Sequence, residues 1–333
     1  MLPGGRLGNR RLRPHTAAVR RIAHAILALV LLVGALVLYR CDLVRPDADG
    51  RPLVFAHRGG ADVRMANSLF AIDGLLGDLA AGRVSVDGVE MDIGLTADGV
   101  PLLAHDPWVD PGCVSDGRRP QEVLLKDTSA ATLLADWRCG EVADPEHPAA
   151  ARPDPPAPLT RLADVLDTVA ARPALHLYLD FKVQDGLTQD ADQFAEAVGG
   201  LWAARTLTNP LHIEVSTAEA VAAVRKHVPS ATVWLSYPPY YAGENWTTKT
   251  IALGLRTLAG LASPRAAASD AGADGVVVHF RTLDRARHDS LAAHGTGAVV
   301  FSVTDSAMLD KYCRYPVTIL IAGDPGLGRC SDD

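Results

Sequence analysis

Residues 88–107 read GVEMDIGLTADGVPLLAHDP and carry the strongest indication of how the chain folds. The first apolar run contains Glu90 and Asp92, which are two residues apart and therefore point to the same face of a strand. The second apolar run ends at His105. A packed interior would not select such side chains, whereas the carboxyl ends of parallel strands commonly form ligand sites. The stretch therefore predicts strands that lead into a polar site.

Short β-branched runs alternate with alanine- and leucine-rich helical segments on both sides of this stretch. Nine strands are predicted, at Leu53–Ala56, Gly88–Ile93, Pro101–Ala104, Leu175–Phe181, His212–Val215, Thr232–Leu235, Gly275–Val278, Ala298–Val303 and Val317–Ile321. Helices are predicted at Ser68–Ala81, Leu162–Ala171, Ala191–Trp202, Ala218–His227 and Asp284–His294. Alternation over ~280 residues indicates an α/β fold, most simply a (β/α)8 TIM barrel. We place this barrel at residues 50–326 and expect the ninth strand to be a hairpin, an extra strand or an error.

One segment, residues 107–158, interrupts the alternation with nine prolines, two cysteines and no clear strand. We interpret it as an insertion at the carboxyl-terminal rim of the barrel, where active sites form. Four cysteines of the body allow three pairings, and proximity in sequence favours Cys113 with Cys139 and Cys313 with Cys330. Buried free thiols are the alternative.

Charge is divided unevenly along the 333 residues. The formal net charge is −7, but residues 1–40 contain seven arginines and no acid, which leaves −14 for the remainder. An acidic body argues against general binding of nucleic acid, because neutralising phosphates requires a basic surface.

The arginine-rich end precedes an apolar run at residues 22–39, in which only His24 can carry a charge near neutral pH. Eighteen residues at ~1.5 Å each just span a hydrocarbon core of ~30 Å. The positive-inside rule predicts a cytoplasmic tail at residues 1–21, a single transmembrane anchor at 22–39 and an extracytoplasmic body at the cell membrane. A cleaved signal peptide and a buried core helix are the alternatives.

Polar clusters occur at four predicted strand ends, which converge in a barrel. They contain two histidines, three carboxylates, an arginine and a lysine: His57, Arg58, Glu90, Asp92, His105, Asp180 and Lys182. The three carboxylates are hard oxygen ligands suited to Ca²⁺ or Mg²⁺, and such a cation would keep all three ionised. Arginine and lysine suit an anionic phosphate, and the histidines suit general acid–base catalysis.

These clusters resemble the motifs of the glycerophosphodiester phosphodiesterase superfamily of TIM barrels, which includes sphingomyelinase D-like enzymes. The matching stretches are VFAHRGG, NSLFAIDGLL, VEMDIGLTADGVPLLAHDP, PLTRLADVLDTV, LYLDFK and FSVTDSAML. The resemblance implies that His57 and His105 are the acid/base pair. It also implies that Glu90, Asp92 and Asp180 bind the metal, and that Lys182 matches the lysine that follows the third ligand.

The chain departs from the family pattern at three places. Residues 65–68 read MANS where the family has proline, glutamate, asparagine and threonine, so the glutamate is replaced by Ala66. The third acidic position is Asp180 rather than glutamate, as in the sphingomyelinase D-like branch. A tryptophan-led motif is replaced by Phe301–Asp305. These changes affect substrate positioning more than the metal and histidine set.

The sequence and the resemblance together predict a membrane-anchored, extracytoplasmic, metal-dependent phosphodiesterase. The expected reaction is hydrolysis of a glycerophosphodiester to an alcohol and glycerol phosphate. A lysophospholipase D or sphingomyelinase D-like lipid phosphodiesterase is the first alternative, and a catalytically weak binding protein is the second. No nucleic-acid partner is expected, and no oligomeric state is predicted.

Overall fold

A computed structural model describes residues 50–115, 117–237, 264–281 and 283–331. Eight parallel strands close into a barrel, which confirms the predicted TIM-barrel fold. The strands are β1 (Leu53–Ala56), β2 (Gly88–Leu95), β6 (His176–Phe181), β7 (Leu211–Val215), β8 (Thr232–Ser236), β9 (Gly275–His279), β10 (Gly297–Val303) and β11 (Ile319–Ala322). Pairing of β1 with both β11 and β2 closes the cylinder.

The ninth predicted strand is a hairpin arm. Strand β3 (Pro101–Leu103) pairs antiparallel with β2, with Ile93 opposite Leu103. Because β3 turns back along β2, the chain returns to the mouth of the barrel, and His105 follows there.

The insertion contains more regular structure than its sequence indicated. Strands β4 (Cys113–Val114) and β5 (Arg138–Cys139) pair antiparallel, and a short helix, α2 (Ala130–Asp136), lies between them. Strands of two residues are too short to show a periodicity, which is why no clear strand is visible in the sequence of residues 107–158.

Among the described residues, seven further helices cover the outside of the barrel. They are α1 (Leu69–Ala80), α3 (Leu162–Val169), α4 (Ala191–Ala203), α5 (Ala218–His227), α6 (Pro264–Ala271), α7 (Arg285–Ala293) and α8 (Ser306–Cys313). Side-chain oxygens of Ser68, Asp190 and Thr217 accept backbone N–H groups at the starts of α1, α4 and α5. These N-caps satisfy donors that a helix leaves unpaired and fix where each helix begins.

Helix α3 shows how the outer layer packs. Its buried residues Leu162, Val165, Leu166 and Val169 follow the spacing of one helical face. They join the large core between the helices and the outward-facing strand residues. A separate inner cluster fills the barrel and includes Phe55, Tyr178, Trp234, Val277 and Val299.

Both favoured disulfides are present. Cys113 and Cys139 face each other across the β4–β5 pair, and Cys313 at the end of α8 is bonded to Cys330. The first bridge closes the base of the insertion, and the second ties the carboxyl-terminal segment to the barrel wall.

Within the described ranges, none of the helices has both the length and the apolar character to cross a bilayer. The predicted tail at residues 1–21 and anchor at 22–39 lie outside those ranges.

Candidate active site

The register between β2 and β6 brings the predicted metal ligands together. Asp92 and Asp180 are directly opposite each other across this strand pair, and Glu90 lies opposite Tyr178. Oxygen atoms of Glu90, Asp92 and Asp180 all lie within 4.8 Å of one another. Glu90 and Asp92 are only 3% and 1% exposed, so these charges sit in a region largely closed to water.

Lys182 and Arg58 supply positive charge to this acidic cluster. The Lys182 Nζ atom lies 2.9 Å from Asp92 Oδ1 and also donates to Asp180. The Arg58 Nε atom lies 2.8 Å from Asp92 Oδ2, and the Arg58 backbone N–H donates to Glu90 Oε2 at 2.8 Å. Asp92 is therefore held from two sides by cations.

The turn after β1 places Arg58 in this position. Arg58 has φ +50°, a left-handed conformation that is uncommon for residues other than glycine. Gly59 follows at φ +81°, and a β-carbon there would lie 3.1 Å from Ala71 and Ile72 of α1. The missing side chain lets the turn pack against the helix, while the backbone N–H of Arg58 points at Glu90.

The charges in this cluster perturb one another strongly. Burial, together with Asp92 and Asp180, raises the pKa of Glu90 well above its ordinary value. Burial also acts to raise the pKa of Asp92, but Lys182 and Arg58 outweigh it, and the net pKa is lowered. Perturbed carboxyl groups gathered at a strand edge are a feature of functional sites.

The two predicted histidines lie at this mouth in different surroundings. His57 begins the turn after β1, and its Nε2 atom is 3.9 Å from Glu90 Oε2. Burial and then Arg58 lower the pKa of His57 to about 3. His105 is more exposed, and its Nδ1 atom lies 3.0 Å from Asp106 Oδ1. The preceding Ala104 N–H donates to the Asp92 carbonyl, which keeps His105 beside the cluster.

Asn67 is a site residue that the sequence reasoning missed. Its side-chain amide donates to Asp92 Oδ2 at 2.7 Å, and its carbonyl oxygen accepts the Asp92 backbone N–H at 3.1 Å. Asn67 also has φ +50°, a conformation that asparagine tolerates better than most residues. The only signal in the sequence was its place in residues 65–68, the motif that differs from the family pattern.

A fourth carboxyl group, Glu214 on β7, was also missed. Glu214 lies opposite Asp180 in the strand register and accepts hydroxyl hydrogen bonds from Tyr178 and Ser236. Burial and the neighbouring Asp180 raise the pKa of Glu214 to about 8. Alternation of His212 and Glu214 on an otherwise apolar strand was the available signal.

The insertion also reaches the site. Glu146 Oε2 lies 3.3 Å from the NH1 atom of Arg58, and His147 Nδ1 lies 3.0 Å from Asp62 Oδ1. Two side chains that are adjacent in sequence thus contact the loop that carries His57 and Arg58.

The carboxylate cluster fits a divalent cation by the chemistry of its donors. Glu90, Asp92 and Asp180 offer three hard oxygen atoms within 4.8 Å, the type of ligand that Ca²⁺ and Mg²⁺ prefer. Burial first, and then the charges of Asp92 and Asp180, raise the pKa of Glu90 despite Lys182 and Arg58. A bound cation would offset these charges and keep all three groups ionised.

The structure thus brings together all seven predicted site residues at the carboxyl end of a TIM barrel. This combination of fold and side chains defines a class of barrel proteins equipped for phosphoester chemistry. The model of the Glycerophosphoryl diester phosphodiesterase family matches residues 57–327, and the chain belongs to this family.

Individual relatives match over different lengths. Glycerophosphodiester phosphodiesterase 1 of Rattus norvegicus is 41% identical over 68 residues, which is 20% of this chain and 19% of the relative. The human protein of the same name is 41% identical over 63 residues, 19% of this chain and 17% of the relative. The matched segment thus spans about a fifth of these curated relatives.

Solved structures agree over most of the chain. A structure from Silicibacter pomeroyi has a TM-score of 0.67 at 17% identity and covers 86% of this chain and 95% of its own. An Oleispira antarctica phosphodiesterase in complex with the product sn-glycerol-3-phosphate has a TM-score of 0.59 at 17% identity, covering 83% and 94%. At these identities the likeness supports the fold.

Proposed function

We propose that the chain hydrolyses glycerophosphodiesters to an alcohol and glycerol phosphate with the help of a divalent cation. The observation that carries this proposal is a set of three carboxylates, two buried and one half-buried, which lie within 4.8 Å of one another beside Arg58, Lys182 and two histidines. Family membership and the product named in the Oleispira antarctica complex support the choice of substrate.

In this proposal the substrate phosphate binds between the carboxylate cluster and the basic side chains of Arg58 and Lys182. Arg58 and Lys182 attract the anionic phosphate and neutralise charge that develops as the ester bond breaks. Glu90, Asp92 and Asp180 would hold the cation, which when bound supplies Lewis-acid polarisation of a phosphoryl oxygen. Asn67 and the Arg58 backbone N–H orient Asp92 and Glu90 for this role.

The two histidines divide the proton transfers. One accepts the proton of the attacking water, and the other donates a proton to the oxygen of the departing alcohol. His57 lies against Glu90 at the inner side of the mouth, and His105 lies with Asp106 at its edge. Two positions are needed, because attack and departure occur on opposite sides of the phosphorus.

The test is turnover of glycerophosphodiesters by purified residues 45–333 with Ca²⁺, with Mg²⁺ and with chelator. We expect cation-dependent release of glycerol phosphate, and a loss of about 10²–10⁴-fold in kcat for His57→Ala and for His105→Ala. His294→Ala is a matched control, because His294 caps the end of α7 through the Ser290 carbonyl.

Three outcomes would contradict this proposal. Absence of turnover on every phosphodiester would favour a binding protein instead of an enzyme. Turnover that is unchanged by both His57→Ala and His105→Ala would disprove the assigned roles. Full activity in chelator would disprove the metal requirement.

A lysophospholipid is the second candidate substrate, and an aromatic side of the barrel mouth favours it. Phe301 of β10 lies opposite His279 of β9, and their ring centres are 5.3 Å apart. Phe301 is 37% exposed, which is unusual for a large apolar side chain. If a lipid chain binds there, Phe301→Ala should raise KM for lysophosphatidylcholine but not for glycerophosphocholine. Equal effects on both would contradict this candidate.

We infer further that residues 22–39 anchor the protein in the cell membrane, with the barrel outside the cytoplasm. The two disulfides support this inference, because such bonds persist in oxidising compartments. The full-length chain should resist alkaline extraction from membranes, and external protease should digest its barrel. A shortened chain that is released in soluble form would favour a cleaved signal peptide instead.

A further inference from the structure

The part of the insertion nearest the site is residues 140–152, which we call the strap. It begins next to the Cys113–Cys139 disulfide, and the Gly140 N–H donates to the Gly112 carbonyl at 3.1 Å. At its other end, Ala151 exchanges two backbone hydrogen bonds with the loop after β1, accepting from Met65 and donating to Val63. The strap is therefore fastened at both ends to structures beside the barrel mouth.

Between these ends, two side chains meet the loop that forms the phosphate site. The His147–Asp62 pair fixes the middle of the strap, with 3.0 Å between Nδ1 and Oδ1. The Glu146 N–H donates to Asp144 Oδ1 at 2.9 Å, which holds the backbone of the strap at this residue. Glu146 then lies against Arg58, with 3.3 Å between Oε2 and NH1.

Arg58 thus contacts two carboxylates, and these differ greatly in their exposure to solvent. The Asp92 side chain is 2% exposed, whereas the Glu146 side chain is 69% exposed. An exposed ion pair is weak and easily exchanged, so Glu146 can yield to another anion at NH1. Its negative charge nevertheless remains fastened near the phosphate by the strap.

A charge in this position acts unequally on substrate and product. A phosphodiester carries one negative charge, whereas a phosphomonoester carries about −1.5 to −2 near neutral pH. Electrostatic repulsion from Glu146 grows in proportion to the charge of the bound anion. The penalty from Glu146 is therefore larger for the monoester. Attraction by Arg58 and Lys182 grows with charge in the same way, so the contribution of Glu146 is the difference between the protein with and without its carboxylate charge.

We propose that Glu146 is a specificity-determining residue that disfavours doubly charged phosphomonoesters at the Arg58 site. The role rests on the proposed phosphodiesterase function and extends it, because the hydrolysis product is itself a phosphomonoester. Glu146 then promotes release of glycerol phosphate and lets the site distinguish diesters from the monoesters and inorganic phosphate around them.

The test compares two probe anions on wild type, Glu146→Gln and Glu141→Gln, each with Ca²⁺ and with Mg²⁺. Glycerol phosphate is the doubly charged probe, and dimethyl phosphate is the singly charged diester probe. Binding is measured by calorimetry and, where turnover is present, by competitive inhibition. Glu141 is an exposed carboxylate of the same strap and serves as the matched control.

We expect Glu146→Gln to bind glycerol phosphate about three- to tenfold more tightly, and dimethyl phosphate only about two- to threefold more tightly, because a repulsion proportional to charge is about half as large for the singly charged anion. Glu141→Gln should resemble wild type for both anions. The gain in Glu146→Gln should shrink at high salt, because screening weakens repulsion between exposed charges. A contact that was merely structural would show neither the dependence on probe charge nor the dependence on salt.

Equal tightening for both probes would overturn the proposal and indicate that Glu146 simply blocks the site. Unchanged or weaker binding of glycerol phosphate would overturn it as well, and so would a wild type that binds neither probe. Failure of the proposed function looks different, because it is absence of turnover. The calorimetric comparison of the two probes still decides the role of Glu146 in that case.

Discussion

Strands β6 and β7 carry inward-facing polar residues at both ends, and the two ends behave differently. At the amino ends, His176 and His212 stack with ring centres 5.3 Å apart inside the aromatic floor of the barrel. At the carboxyl ends, Asp180 and Glu214 are direct neighbours in the strand register. The same two strands therefore present a pair of imidazoles at one end and a pair of carboxyl groups at the other.

The imidazole end is a chain of two hydrogen bonds. Trp234 donates its indole N–H to His212 Nδ1 at 3.2 Å, so a neutral His212 must carry its proton on Nε2. That proton faces His176 Nδ1 at 3.0 Å. The Trp234 indole, both ring nitrogens of His212 and the Nδ1 atom of His176 are thus paired without a net charge. Satisfied, uncharged polar groups of this kind specify packing and call for no ligand.

The carboxyl end is not balanced in this way. Asp92 and Asp180 contact the Lys182 ammonium group, and burial first, followed by neighbouring carboxylates, raises the pKa values of Glu90, Asp180 and Glu214. Like charges held together cost free energy unless a ligand compensates them. Polar side chains inside a barrel therefore do not by themselves indicate a ligand site, whereas carboxylates whose charge is not neutralised do.

Removing charge from the carboxyl end should have the largest effect. Asp92→Asn takes away a proposed metal ligand and the partner of both Arg58 and Lys182. We expect kcat/KM to fall by about 10²–10³-fold, with circular dichroism unchanged. Asp185→Asn, an exposed carboxylate after β6, should retain wild-type activity. An active Asp92→Asn variant would contradict the proposed site.

Lowering the pH should reduce the stability of the protein through the imidazole end. Burial, and then His176, lower the pKa of His212 from 6.5 to about 4. Below about pH 6.5 the unfolded chain binds this proton more readily than the folded protein does, so stability falls as the pH drops towards 4. The full difference of about 2.5 pKa units corresponds to roughly 3 kcal/mol in the free energy of unfolding.

The measurement is urea unfolding between pH 6.5 and about 4 for wild type and His212→Gln. Glutamine keeps an acceptor for Trp234 and a donor for His176 but does not titrate. The variant should lose less stability in acid than wild type, although it is less stable at neutral pH. Parallel stability curves would show that His212 is not the acid-sensitive group.

Two buried asparagines allow the two ends to be compared with similar chemistry. Asn67→Gly removes the amide that holds Asp92 and keeps the positive φ accessible. We expect about 10–100-fold loss of kcat/KM or of metal affinity. Asn209→Ala removes hydrogen bonds to the Arg172 and Leu175 carbonyls and should lower stability by about 1–3 kcal/mol without changing kcat. Similar activity losses in both variants would contradict the division into a functional carboxyl end and a structural amino end.

Much of the fold and part of the site could be predicted from sequence because both have local signals. The eight strands are short apolar runs that alternate with helical segments, and the seven predicted site residues interrupt or follow such runs. Asn67 had no such signal, since its role depends on a left-handed turn and on Asp92, 25 residues away. Glu146 meets Arg58 across 88 residues from an irregular insertion, and no periodicity encodes that contact.

Substitution of Glu214 should have the smallest effect. It tests directly whether Glu214 belongs to the ionised carboxylates at the carboxyl end of the barrel. Its pKa of about 8 means that the carboxyl group is mostly protonated at neutral pH, so Glu214→Gln replaces one neutral group with another of nearly the same shape. The amide can still accept a hydroxyl hydrogen bond from Tyr178 or Ser236. We therefore expect kcat/KM at neutral pH to change less than about threefold.

The difference between wild type and Glu214→Gln should grow only in alkali. Above about pH 8 the wild-type carboxyl group loses its proton and adds a negative charge beside Asp180, whereas the amide stays neutral. Wild type should then retain the divalent cation more tightly than the variant, as a metal titration at each pH would show. A large loss of activity in the variant at neutral pH would mean that Glu214 is ionised there. It would then belong with the ionised carboxylates Asp92 and Asp180 rather than with the neutral side chains at the amino ends of the strands.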